Sequence, residues 1–307
     1  MTPGRRVSTS SAPFALGAFC VGAASSLVAA AILKGHPPGG GERWIRTNHE
    51  GCPVTLVEGP AYAVGVVAGA LSGGAGASAV VAGLGAGALG ALDDLFGDSA
   101  SKGLRGHLAA ARRGEVTTGV VKIVGLAVTG VATAWIADRS RERTGTHAAG
   151  PLATLVGGAV IAGSANIVNL FDLRPGRALK VVLLLAVPFV PGGRGTPLST
   201  ATAAATVGAA MAALPGDLAG RSMLGDTGAN SAGALIGTAL VARTDLRGRL
   251  LALASVIALT LASEKVSFTK VIESSPGLRR LDALGRPPRP SAAAIHDGHP
   301  HGDPVTS

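Results

Sequence analysis

Charge is what this chain has least of. Asp, Glu, Lys and Arg make up 15% of it, against about a quarter of an average soluble domain, too little polar surface for a soluble protein of this length. Aromatic residues fall to 3%. Cysteine occurs twice, as Cys20 in an apolar run and Cys52 in a polar loop, so neither a disulfide framework nor a zinc site is implied. What replaces these residues is small and apolar: hydrophobic residues reach 47%, and glycine alone supplies 46 positions. Glycine and alanine pack poorly in soluble cores, but between membrane helices they let backbones approach closely. The fold class expected is therefore all-α, a polytopic integral membrane protein. The net charge of +9 does not indicate nucleic acid, because the cations sit in short loops between apolar runs, where they anchor spans and meet anionic lipid.

Apolar runs alternate with polar loops along the chain. The first, Phe14 to Leu33, is long enough to cross about 30 Å of hydrocarbon at about 1.5 Å per residue. Arg5, Arg6 and the Ala29–Ala31 stretch also suit a cleaved signal peptide, but the apolar run exceeds the usual length of one. Ala61 to Leu92 is too long for one span, and the cluster Gly73-Gly74-Ala75-Gly76 is the natural turn between two. Further runs begin at Gly119, Leu152, Leu179, Leu198, Ala232 and Leu250, which brings the expected count to about nine spans. The expected organisation is an N-terminal tail (1–13), a transmembrane domain (14–275) and a C-terminal tail (276–307), disordered from about residue 287.

With nine spans, one face of the membrane receives loops 34–59, 93–118, 172–180, 215–230 and the C-terminal tail. Lys and Arg do not orient the chain, being more numerous on this face and denser on the other. Acidic residues discriminate better: of the 18 in the chain, only Asp138, Glu142 and Asp245 fall on the opposite face. Asp and Glu do not set topology, so this clustering asks for a chemical reason.

Three acidic motifs stand at the ends of apolar runs. Asp93-Asp94 closes one helix, Asn166-Ile-Val-Asn169-Leu-Phe-Asp172 closes another, and Leu224-Gly225-Asp226-Thr227-Gly228 precedes a third. Carboxylates converging at the membrane rim suit magnesium, which takes one or two protein carboxylates and fills its other sites with water and phosphate oxygens. Gly225, Thr227 and Gly228 would offer backbone N–H groups to a phosphate at a helix start. The bland alternative is that each Asp is a helix cap or a solvated loop residue.

In order and spacing these motifs resemble the polyprenyl-phosphate N-acetylhexosamine-1-phosphate transferases, a family that includes the enzyme making the first lipid intermediate of peptidoglycan. Asp93-Asp94 matches the family's paired Asp, and Asn166, Asn169 and Asp172 match its Asn-x-x-Asn-x-x-Asp-Gly stretch. Leu224 to Ala229 matches its Met-Gly-Asp-Thr-Gly-Ser stretch, Gly51-x-Pro53 with Gly59 loosely matches its first-loop motif, and Lys122 matches a downstream lysine. The resemblance covers roughly residues 45 to 275. It implies transfer of a sugar-1-phosphate from a nucleoside-diphosphate sugar to a polyprenyl phosphate, dependent on Mg²⁺ (with Mn²⁺ as a substitute). Asp93, Asp94 and Asp172 would be catalytic, with Asp226 and Asp94 at the metal. Lys122, Asn166, Asn169, Arg174, Arg177, Gly225, Thr227 and Gly228 would bind substrate, with Lys102, Arg105 and His107 nearby. The expected location is the plasma membrane with the active face cytoplasmic, and a homo-oligomer is compatible.

The chain also departs from the family. After Asp172 the second carboxylate of the pattern is missing, and Leu173-Arg174-Pro175-Gly176 stands there instead. The histidine-bearing loop before the last span is replaced by Glu264–Glu273, which has no histidine; His296, His299 and His301 lie beyond it in the tail. The tenth span is absent. These departures keep a second expectation open: a catalytically silent relative that binds polyprenyl-phosphate lipid or serves as a membrane partner in envelope assembly.

Overall fold

A computed structural model describes residues 12–97, 112–114, 117–143, 149–190 and 196–287. Among the described residues nine apolar helices form a bundle: α1 (Ala12–Gly35), α2 (Glu58–Ser72), α3 (Gly76–Phe96), α4 (Thr118–Arg143), α5 (Pro151–Phe171), α6 (Arg177–Ala186), α7 (Pro197–Leu218), α8 (Gly225–Val241) and α9 (Leu246–Ser263). Two short helices follow, α10 (Phe268–Ser274) and α11 (Pro276–Ala283). Six of these helices (α1, α3, α4, α5, α7 and α9) are long and apolar enough to cross a membrane. The expected count of about nine spans is not confirmed: six helices among the described residues reach that length and hydropathy. α2, α6 and α8 have 15, 10 and 17 residues and fall short of the usual span of roughly 20. The glycine cluster forms the turn between α2 and α3, with Gly74 and Gly76 in the left-handed region at φ 84° and 67°. Within α3, residues Val81–Gly85 widen into a π-helical turn.

The bundle has a small-residue interior and a large-residue exterior. Its core is mostly alanine, with Ala18, Ala70, Ala82, Ala134, Ala204 and Ala232 fully buried, whereas Leu16, Val128, Leu184 and Leu251 are each more than 60% exposed. Water would penalise that distribution; hydrocarbon does not, because lipid tails are as apolar as leucine. Glycine lets the helices touch: a Cβ on Gly69 of α2 would lie 2.7 Å from the Gly22 backbone of α1. A Cβ on Gly158 of α5 would lie 2.7 Å from the Val131 Cα of α4. Through such contacts α1 packs directly on α2 and α7, as an integral part of the bundle. The centre is α8, buried along almost its whole length, while α9 buries fully only Arg249.

At one end of the bundle the chain between α1 and α2 folds over the helices. Ile45–Thr47 and Pro53–Thr55 form an antiparallel hairpin, turned by Asn48, whose side-chain oxygen accepts from the N–H groups of Glu50 and Cys52. Trp44, Leu56 and Val57 make a small second core with Leu33, Leu95 and Met223. Thr55 bridges to Ser222, which ties the hairpin to the α7–α8 connection.

Candidate functional site

The hairpin end of the bundle collects most of the acids of the described residues, buried Asp138 at the other end being an exception. α3 delivers Asp93 and Asp94, α5 delivers Asp172, and α8 begins with Gly225-Asp226-Thr227. Two further acids arrive that the sequence motifs did not single out: Glu58 in the first turn of α2 and Asp217 near the end of α7. Both obey the pattern that marked Asp172, an acidic residue at the end of an apolar run.

These acids fall into two groups. In the first, Lys122 of α4 stands between two carboxylates. Its Nζ lies 3.1 Å from Asp93 Oδ2 and also donates to Asp226 Oδ2. Three helices are thereby joined through one ammonium group. In the second, Asp172, Asp217 and Glu58 lie together, each at least 93% buried. The Gly176 N–H donates to Asp217 Oδ1 at 3.0 Å, Gly225 N–H to Asp172, and the Ser222 hydroxyl to Glu58 Oε2. One oxygen of each acid remains without a hydrogen-bond partner: Glu58 Oε1, Asp172 Oδ2 and Asp217 Oδ2. Burial, followed by the charges of Asp217, Asp226 and Glu58, pushes the Asp172 carboxyl well above the ordinary range. A cavity of about 200 Å³ opens beside this group, walled by Asp172, Arg174, Asp217 and Ser222 on one side and Thr47, Asn48 and His49 of the hairpin on the other. Acids from α2 and α7 thus stand beside Asp172.

The geometry revises several roles. Asp94 turns away from the Lys122 group and caps α8, accepting from Asp226 N–H at 3.0 Å, Thr227 N–H at 2.9 Å and the Thr227 hydroxyl at 2.6 Å. The expectation of free N–H groups for a phosphate at Gly225, Thr227 and Gly228 does not hold. Asp172 and Asp94 take the first three donors of α8, and Gly228 N–H bonds to Leu224 O within the chain. Two carboxylates from neighbouring helices satisfy the positive end of α8, as an anion would. Gly225 has φ 60°, and a Cβ there would lie 2.9 Å from Asp94 Oδ2, so the turn needs glycine twice over. Gly228 allows the close approach of Gly59 at the start of α2.

The cations assigned to substrate are also engaged. Arg174 pairs with Glu273 of α10 at 3.3 Å rather than with Asp172. Arg177 is buried in a two-toothed contact with Asp282 of α11, at 2.8 and 3.0 Å. Asn166 and Asn169 lie partly buried on the last turns of α5. Lys102, Arg105, His107 and the tail histidines lie outside the described residues.

For a metal, the Lys122 position is informative. Among the described residues no three His, Cys, Asp or Glu side chains converge as a ready-made metal site. Asp93 and Asp226 nonetheless grip a cation between them, and two carboxylates are what magnesium takes from protein when phosphate oxygens complete its shell. Asp226 and Asp93 fit that role better than Asp226 and Asp94, because Asp94 is committed to the cap. No protein-family model and no curated protein matches this chain.

Proposed function

We propose that this protein is a membrane transferase that moves a sugar-1-phosphate from a nucleoside-diphosphate sugar to a polyprenyl phosphate in a Mg²⁺-dependent reaction. The observation that carries the reading is the Asp93–Lys122–Asp226 group beside the Asp172 cavity, at the rim of a helical bundle with a lipid-like exterior. A transfer between two anionic phosphates needs chiefly positioning and charge neutralisation. Lys122 is placed to hold an anionic oxygen once Asp93 and Asp226 share a stronger cation. Bound Mg²⁺ would supply neutralisation of the phosphoryl charge, with Asp226 and Asp93 as its protein ligands. Asp172 and Asp217 each keep an unpartnered oxygen beside the cavity, which suits the hydroxyl and amide groups of a sugar or a nucleoside. Arg174 stands at the mouth of the same cavity.

In this reading all nine apolar helices cross the plasma membrane, and the acid-rich end is cytoplasmic, where nucleotide sugars are found. For the short α6, contacts at both of its ends support counting it among the spans. Arg177 at its start contacts α11, and Phe189, three residues beyond its end, accepts from Arg243 at the opposite end of the bundle. The peptide-bearing peptidoglycan precursor is not the donor, since the chain lacks the histidine-bearing loop that the resemblance associates with it. The silent-relative reading draws on one observation, the engagement of Asp94, Arg174 and Arg177 in intramolecular contacts.

The deciding assay is nucleoside monophosphate release by purified protein in lipid, with undecaprenyl phosphate, Mg²⁺ and a panel of nucleotide sugars. Release from a simple UDP-N-acetylhexosamine, abolished in Asp226→Asn, is expected. Turnover of the peptide-bearing nucleotide would refute the specificity, and tight polyprenyl-phosphate binding without any turnover would establish the silent relative.

A further inference from the structure

The segment after the last long span is built differently from the rest of the chain. α9 ends at Ser263 and α10 starts at Phe268, so over a short connection the chain changes from a long apolar helix to two short amphipathic helices. On its inner side this segment is fastened to the 172–180 stretch. Phe268 stacks on Phe171 with ring centres 5.1 Å apart, and Thr269 Oγ1 accepts from Arg177 at 2.8 Å. Lys180 donates to the carbonyls of Leu281 and Asp282, and Arg286 donates to Pro175 O at 2.8 Å. Burial opposes ionisation of Asp282, but the hydrogen bonds and charge of Arg177, reinforced by Arg286, hold its carboxyl below the ordinary range.

The outer side is the reverse in character. Val266, Val271, Leu278, Leu281 and Leu284 are 42% to 66% exposed. Lys265, Lys270, Arg279 and Arg280 are exposed among them and form no ion pair with the described residues. Glu273 and Asp282 of this segment are spent on Arg174, Arg177 and Arg286. Exposed leucines interleaved with unmatched cations, held at the level where a span emerges, have the chemistry of an interfacial helix on anionic lipid.

We propose that α10 and α11 form a strap that docks on the anionic headgroup layer of the leaflet at the acid-rich end. Its inner contacts hold the Leu173–Pro175 wall of the Asp172 cavity, so the lipid charge of that leaflet sets how firmly the wall is held. The proposal stands on the strap's own geometry and is independent of the transferase reading.

The test uses full-length protein carrying Cys20→Ser and Cys52→Ser, with Leu281→Cys labelled by an environment-sensitive fluorophore. A Leu284→Cys label serves as the second position should the first variant fold poorly. The samples are nanodiscs of phosphatidylcholine alone and nanodiscs containing phosphatidylglycerol. Blue-shifted emission is expected only with phosphatidylglycerol, reversed by salt and by Arg279→Gln with Arg280→Gln. Hydrogen exchange at 173–177 should slow in the same discs. Identical emission in both lipids, or a shift that survives the double Gln variant, overturns the proposal. A shift in both discs with a doubled particle mass would assign the face to a second copy of the chain and overturn it as well.

Discussion

The two ends of the bundle bury charge in opposite ways. At the end away from the hairpin, Asp138 of α4 meets Arg249 of α9, and both side chains are almost wholly buried. Arg249 donates to both Asp138 oxygens and to the carbonyls of Ala153 and Val241, while the Thr154 hydroxyl also donates to Asp138 at 2.7 Å. Four helices are stapled there, with every carboxylate oxygen partnered. At the acid-rich end, Glu58, Asp172 and Asp217 are as deeply buried, yet each leaves one oxygen unpartnered. Arg249 Nε is unpartnered in the staple, so the contrast lies in the carboxylates: the one that fixes helix positions has both oxygens bonded, and those at the acid-rich end each leave one oxygen open.

The largest effect is expected from removing one member of the staple. Arg249→Met leaves Asp138 buried without its cation and should lower stability in detergent by about 3–5 kcal/mol, read from thermal or denaturant unfolding. Adding Asp138→Leu to Arg249→Met should recover most of that loss, since a matched apolar pair removes both desolvation costs. Asp172→Asn at the other end should leave stability unchanged or higher. If Arg249→Met proves no worse than Asp172→Asn, the two ends do not differ as described.

A smaller effect divides the paired acids Asp93 and Asp94. Asp94→Ala strips the acceptor from three donors of α8 and should cost about 1–3 kcal/mol. Asp93→Ala removes one contact to a lysine it shares with Asp226 and should cost under about 1 kcal/mol, while weakening Mn²⁺ binding at the Asp226 site. Equal losses from the two substitutions would erase the distinction between the cap and the Lys122 contact.

The smallest effect is a slope. The folded state holds Asp172 protonated at pH values where the unfolded chain has already released that proton. Its contribution therefore becomes destabilising as pH rises from the ordinary carboxylate value, near about 4, to its raised folded value, and is absent below that window. Unfolding midpoints measured across the window should fall with pH in the parent protein and fall less in Asp172→Asn. Parallel curves would place Asp172 in contact with a compensating charge.

By itself the sequence determined the helical membrane class, the glycine turn at Gly73–Gly76 and the collection of acids at one end, because each depends on local composition or on the alternation of apolar runs. Hydropathy reads burial in lipid directly, and a chain that reverses at every loop returns successive loops to alternate faces. Tertiary structure alone decided which acid does what. Asp94 became a cap because α3 meets the start of α8, a contact that spacing within either motif cannot reveal. Glu58 and Asp217 joined Asp172 because the start of α2 and the end of α7 meet the end of α5, though they lie far apart in the chain and neither is a specified position of the motifs. Arg174 and Arg177 were drawn away to Glu273 and Asp282 because the segment after α9 folds back over their loop. Hydrogen bonds and ion pairs act over about 3 Å, so their partners are set by helix packing, which the order of residues along one segment does not specify.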